Sequence, residues 1–197
     1  MKKVLFIHGA YHAGWCWEEI KEQLLKTAKF ELHTPDLPGH GQNQVPRQNV
    51  GLDTYVDYVS QYIQENNLED FTVVAHSFGG IVASRIAEMH PEKISGIFFV
   101  SASILDNDRC FFDFMPMAVQ EMYKKMAEES EDYSIEPNKE SLKVKIFNES
   151  INSPKLQNFI DKLGRQPLKP YLDRVTLASF KNTNIPIYYI KCFKDIR

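Results

Sequence analysis

Residues 73–80, Val-Val-Ala-His-Ser-Phe-Gly-Gly, constrain this chain more than any other stretch. A β-branched apolar pair runs into a small-x-Ser-x-Gly-Gly turn, and residues 81–87 (Ile-Val-Ala-Ser-Arg-Ile-Ala) read as a helix. A bend this tight brings strand and helix nearly into contact two positions either side of its apex, so those positions must be small. Gly79 meets that demand, and the methyl of Ala75 is about the largest group that fits. A serine at such an apex is held in a strained backbone conformation with its hydroxyl lifted out of the sheet, the layout of a nucleophile elbow. Ser77 is therefore a candidate nucleophile, and the chemistry it points to is acyl transfer. The bland alternative is an ordinary β–α turn with a serine N-cap. A second motif weighs against it.

That motif lies near the N-terminus. Lys2 and Lys3 lead into Val4, Leu5, Phe6 and Ile7, a continuous apolar run typical of a strand buried on both faces. His8-Gly9-Ala10 follows at once. In serine hydrolases of this layout, a backbone N–H from such a loop and the N–H after the nucleophile form the oxyanion hole. Here those donors are Ala10 and Phe78. Backbone amides suit the role because they are in place before charge develops, and losing one such donor costs about 2.7–4 kcal/mol of transition-state stabilisation. His8, Gly9, Tyr11 and His76 are candidate substrate contacts by their nearness to these groups. For His8 itself, a structural role bonding nearby loop backbone is the favoured reading.

The rest of the chain alternates. Residues 15–28 carry apolar residues at helical spacing (Trp17, Ile20, Leu24, Leu25), residues 30–34 read as a strand, and 35–41 (Pro-Asp-Leu-Pro-Gly-His-Gly) form a turn-rich loop. Asp53 is placed to cap a helix running to about 66, with Tyr55, Val59, Tyr62 and Ile63 on one face. The strand at 71–75 enters the elbow, its helix stops before Pro91, and 94–101 holds another buried strand. This alternation predicts an α/β fold: a mostly parallel sheet with helices on both faces and right-handed crossovers. Sites on such sheets sit at the carboxyl ends of the strands, where His8, Ser77 and Ser101 all fall.

From about 104 to 183 the character changes. Phe111, Phe112, Phe114, Met115, Met117, Met122 and Met126 make an aromatic and methionine-rich segment, 128–132 is acidic and reads as a solvated helix face, and helical patterning resumes over 153–163. No strand is obvious there. The expected organisation is a core of residues 1–103 and 184–197, with 104–183 a helical cap insertion over the active edge. Its Phe and Met residues line a pocket or pack cap to core, the second being the commoner role for any one of them. Residues 185–190 (Ile-Pro-Ile-Tyr-Tyr-Ile) restore a strand.

Composition sets bounds. A chain of 197 residues supports one domain that buries about 70% of its unfolded surface. A net charge of −3 leaves no electrostatic footprint for nucleic acid, and no apolar run approaches the ~20 residues of a membrane span. The apolar stretch after Lys3 is too short for a signal peptide and ends in His-Gly. Cys16, Cys110 and Cys192 are odd in number and lack framework spacing, so reduced thiols in a cytoplasmic protein are expected. No metal-ligand cluster at plausible spacing is present, and no metal or organic cofactor is expected.

Phe-Ile-His-Gly-Ala-Tyr-His-Ala-Gly-Trp-Cys-Trp at 6–17, Asp-Leu-Pro-Gly-His-Gly at 36–41, the elbow at 73–80, and Phe147-Asn148 with Gln166-Pro167 together resemble the α/β-hydrolase superfamily. More narrowly they resemble its branch of plant-type methyl-ester esterases, hydroxynitrile lyases and bacterial relatives. The resemblance covers nearly the whole chain but leaves the family's last strand and helix without a counterpart. It implies an α/β-hydrolase fold, C-terminally incomplete, and a nucleophile–acid–histidine triad in that chain order. Ser77 matches the nucleophile and Asp195 the acid. No histidine follows Asp195; the six present are His8, His12, His33, His40, His76 and His90. A serine without a base is a weak nucleophile. An incomplete sequence is the first explanation, a naturally short and poorly active form the second, and a substitute base the last. The absent strand would bare a sheet edge that a partner or second copy, as in a homodimer, would cover. The resemblance implies a carboxylesterase for small-molecule esters, with a non-catalytic small-molecule-binding module and a hydroxynitrile lyase as alternatives. The similar lyases carry threonine where Gly9 stands, which favours the esterase.

Overall fold

The computed structural model describes residues 1–27, 29–145 and 154–192. The apolar run after Lys3 forms β1 (Lys2–Ile7), and a 3-10 turn at Gly14–Trp17 leads into α1 (Glu18–Thr27) and β2 (Phe30–His33). Then come α2 (Leu52–Glu65), β3 (Phe71–His76), α3 (Gly79–Met89) and β4 (Ile94–Val100). The segment expected to form the cap holds α4 (Met117–Glu128), β5 (Ser134–Ile135), α5 (Lys139–Lys145), α6 (Pro154–Asp161), β6 (Gln166–Pro167) and α7 (Lys169–Leu172). The chain returns to the sheet with β7 (Ile187–Ile190).

The main sheet has the order β2-β1-β3-β4-β7, and every pairing in it is parallel. Both faces of β1 are buried, which is why that strand reads as an unbroken apolar run. Leu5, Ile7, Val73, Ala75, Ile97 and Phe99 face the large core built with α2 and α3. Val4, Phe6 and Val74 face the other way, onto Trp17 and Leu24. Register aligns the strand ends that matter: Ile7 pairs with Ala75 and Ala75 with Phe99. The loops after β1, β3 and β4 therefore leave the sheet side by side. At the far edge all four residues of β7 are exposed.

Three expectations are corrected. Asp53 does not cap α2; the N-cap is Gly51, whose N–H donates to Thr54 Oγ1 at 3.0 Å, while the Leu52 N–H donates to the Asp173 carboxylate at 2.8 Å. A distant carboxylate thus occupies the place a local one was expected to take, and Asp53 faces Arg85 at 3.8 Å. The segment 104–183 is not purely helical, because β5 and β6 pair antiparallel through Ser134–Pro167 and Ile135–Gln166. The acidic run is not all solvated helix face: Asp132 lies beyond α4 and is held by Arg47 at 2.7 Å. Phe147 and Asn148 lie outside the described residues, as does Asp195. No helix among the described residues is long and apolar enough to cross a membrane.

Candidate active site

Ser77 follows the last residue of β3 and has φ +51°, a left-handed conformation that a side chain other than glycine adopts only at a cost. Its neighbours explain how the strain is held. Ala75 is fully buried. A Cβ on Gly79 would stand 2.6 Å from the His8 carbonyl oxygen and 2.7 Å from that of Ile7, so the start of α3 rests directly on the end of β1. Gly80 is equally tight against the Ser103 carbonyl oxygen, at 2.6 Å. The Ser77 side chain is half-buried, and its hydroxyl has no hydrogen-bond partner among the described residues.

The loop after β1 packs onto this serine. A Cβ on Gly9 would lie 2.8 Å from Ser77 Cβ and 3.1 Å from both the carbonyl oxygen and Nδ1 of His76, which accounts for glycine at that position. His8 is fully buried. Its Nε2 accepts the Leu37 N–H at 3.1 Å, so Nδ1 carries the proton and donates to the Gly9 carbonyl at 2.9 Å. Desolvation lowers its pKa to about 4 and keeps the ring neutral. His8 has no exposed surface, and both of its ring nitrogens are engaged by backbone.

A trans peptide points its N–H opposite to its C=O. The Gly9 carbonyl is taken by His8 and by the His12 N–H at 3.3 Å, which turns the Ala10 N–H the other way. The Ser77 carbonyl accepts the Gly80 and Ser103 N–H groups at 3.1 and 2.9 Å, which does the same for Phe78. Neither the Ala10 nor the Phe78 N–H has an acceptor among the described residues. Two preset donors and an unengaged serine hydroxyl are the chemical content of the site.

Tyr11 has φ +65°, and its carbonyl accepts the Gly164 N–H at 2.9 Å. Burial, with the phenols of Tyr171 and Tyr123 beside it, raises its own phenol well above the ordinary range. His12 Nδ1 bonds the Ala10 carbonyl at 2.6 Å, and its ring is edge-on to His76 at 5.4 Å. His76 also meets Trp17 edge-on at 6.4 Å, on the α1 face of the sheet. Above Phe78 the cap contributes Phe111 at 5.3 Å and Tyr171 at 5.1 Å. Phe111 is thus one of the expected cap-to-core contacts, whereas Phe114 is exposed. A cavity of ≈ 220 Å³ runs beneath the loop, lined in part by Tyr11, His12 and His40. A larger one, ≈ 480 Å³, opens at the opposite end of the sheet beside Ile94 and Pro186 and has no bearing on Ser77.

His40 is part of this architecture, and in sequence only the family-like segment at 36–41 points to it. It is buried, and its Nε2 bonds the Tyr55 hydroxyl at 2.8 Å. Tyr55 in turn accepts the Gln166 side-chain amide at 3.2 Å. Residues at 40, 55 and 166 have no spacing that links them, and in sequence Gln166 carries only the family resemblance.

A model of the alpha/beta hydrolase fold family matches residues 2–135. A carbendazim hydrolyzing esterase of Nocardioides sp. is 30% identical over 120 residues, covering 60% of this chain and 49% of that protein. Methylesterase 7 of Arabidopsis thaliana is 34% identical over 108 residues, 53% of this chain and 41% of that protein. The chain spans about half the length of the curated relatives it matches. An extracellular alpha/beta-hydrolase from a Paenibacillus species superposes with a TM-score of 0.87 at 24% identity, covering 96% of this chain and 76% of that one. The chain belongs to the α/β-hydrolase fold family.

Proposed function

We propose that this chain carries the nucleophile and oxyanion hole of a carboxylesterase for small esters. The observation that supports this most is the pair of unclaimed N–H groups, from Ala10 and Phe78, beside the raised and unclaimed hydroxyl of Ser77. Ser77 Oγ attacks the ester carbonyl while a general base takes its proton, and the carbonyl oxygen takes up negative charge against the two amides. Collapse of the tetrahedral intermediate expels the alkoxide, which takes that proton from the base and leaves as the alcohol. Water then cleaves the acyl-serine and releases the acid. Asp195 is the acid that orients the base in this reading. His8 and His40 are excluded as that base by burial and by their backbone and tyrosine bonds.

The names of the relatives favour ester cleavage, since they include methylesterases and a carbendazim hydrolyzing esterase. Gly9 disfavours cyanohydrin cleavage: a threonine there would force its Cβ within 2.8 Å of Ser77 Cβ. The test is covalent labelling by a fluorophosphonate probe, alongside turnover of p-nitrophenyl acetate. Labelling at Ser77 that disappears in Ser77→Ala is the expected result. Ligand binding with neither labelling nor turnover would replace the enzyme by a non-catalytic binding module.

A further inference from the structure

Three consecutive carbonyls, those of residues 9–11, are all held, and one of the holders lies beyond α6. The Gly9 carbonyl is bonded by His8 Nδ1 and by the His12 N–H, and that of Ala10 by the His12 ring. The Tyr11 carbonyl accepts the N–H of Gly164 at 2.9 Å. The His8 ring, whose Nδ1 holds the Gly9 carbonyl, meets the His40 ring edge-on at 5.1 Å. His40 Nε2 bonds the Tyr55 hydroxyl at 2.8 Å. The Tyr55 oxygen then accepts from Gln166 Nε2 at 3.2 Å. Residues 164 and 166 are two steps apart on the strap that leads from α6 into β6, so it reaches the loop directly at Gly164 and the Tyr55–His40 pair at Gln166.

We infer that Gln166 is a positioning residue for the Ala10 amide, acting through Tyr55, His40 and the His8 ring. This rests on the proposed role of Ala10 as an oxyanion donor. The link works because His8 Nδ1 and the His12 N–H both hold the Gly9 carbonyl, and the Gly9–Ala10 peptide plane sets the direction of the Ala10 N–H. Tyr55, His40 and Gln166 are all buried, so no water competes for the intermediate positions. Gln166 leaves its own Oε1 buried and without a partner. A buried amide with one orphaned end is retained for what its other end does, and that end donates to Tyr55 and to the Pro167 carbonyl. The cap, by this route, sets the geometry of a donor that sits on the core.

The experiment uses the whole 197-residue chain, isotopically labelled, with phenylboronic acid as the probe of a tetrahedral serine adduct. In the parent protein the boronate shifts the Ala10 and Phe78 amide resonances. In Tyr55→Phe and Gln166→Met the Phe78 response persists, the Ala10 response falls at least twofold, and boronate affinity falls by about tenfold or more, as a misplaced group requires. The double variant is no worse than the worse single one, because the two residues act in series. An Ala10 response equal to the parent's in both variants, or effects that multiply, overturns the inference. Hydrogen exchange of the His12 amide in the unliganded variants gives a second readout. A rise of about tenfold or more, with Phe78 to Gly80 unchanged, supports the link. An unchanged rate refutes it. If the boronate moves neither amide in the parent while exchange responds as expected, the oxyanion role fails and the positioning link stands.

Discussion

A methyl group added to Gly79 would stand 2.6 Å from a main-chain oxygen, whereas one added to Gly164 would meet nothing within 4 Å. The first glycine belongs to the sheet and its carboxyl-end loops, the second to the cap. Around Ser77, backbone packs on backbone: α3 against the end of β1, Gly9 against Ser77, Gly80 against Ser103. Between cap and core, contact is made largely by side chains, such as Asp173 to α2, Arg47 to Asp132 and Lys155 to Glu19. Backbone contacts have no rotamers with which to yield. The difference teaches where this chain tolerates change, and substitutions can break or sharpen it.

The largest stability effect is expected at the elbow. Gly79→Val should cost about 3 kcal/mol or more, because main-chain atoms must move to admit it. Gly164→Ala should stay within about 0.5 kcal/mol. Urea denaturation of both variants measures the contrast, and equal costs would erase it. Acid comes next. His8 is neutral in the fold with its pKa lowered to about 4 by desolvation, and His40 is lowered in the same direction. The unfolded chain binds the extra proton more readily, so this contribution is present above pH 6.5 and is lost as pH falls toward 4. His8 alone accounts for about 3 kcal/mol. Denaturation midpoints between pH 7 and pH 4 should fall steeply, and less steeply in His8→Gln.

Smaller effects belong to the seam between cap and core. Asp173→Ala removes the acceptor for the first amide of α2 and should cost about 1 kcal/mol, read as a lower denaturation midpoint. Lys155→Gln breaks an ion pair whose side chains are 77% and 67% exposed. It should cost no more than about 0.5 kcal/mol, and that difference should vanish in high salt. A large loss at Lys155 would mean that the cap is fastened more electrostatically than its exposure suggests.

Much of the architecture was legible because local pattern and global burial agree. The run at Val4–Ile7 is apolar on both faces and the fold buries both, while the run at Ile97–Val100 buries Ile97 and Phe99 and leaves Phe98 and Val100 half-buried. The Ala75 and Gly79 positions were readable because sterics at a tight bend act over four residues. The start of the helix after Trp15 was not. A Cβ on Gly14 would stand 2.3 Å from the Thr34 carbonyl oxygen, and the Gly14 N–H donates to Asp36 Oδ1 at 2.6 Å. Those contacts with the neighbouring loop are matched by a 3-10 turn before α1. The pairing of β5 with β6 was also unreadable, since two-residue strands carry no periodicity.

Taken alone, the order of residues determined which segments become strands and helices, where the chain bends at Ser77, and which two amides follow the candidate loop and nucleophile. Those are consequences of short-range sterics and of apolar spacing, and both are written along the chain. Only the folded molecule decided that Asp173 caps α2 and that Gln166 reaches His40 through Tyr55. Each of these joins residues that the chain separates and the fold brings together. A hydrogen bond depends on an ångström of placement, which no pattern of residue types specifies.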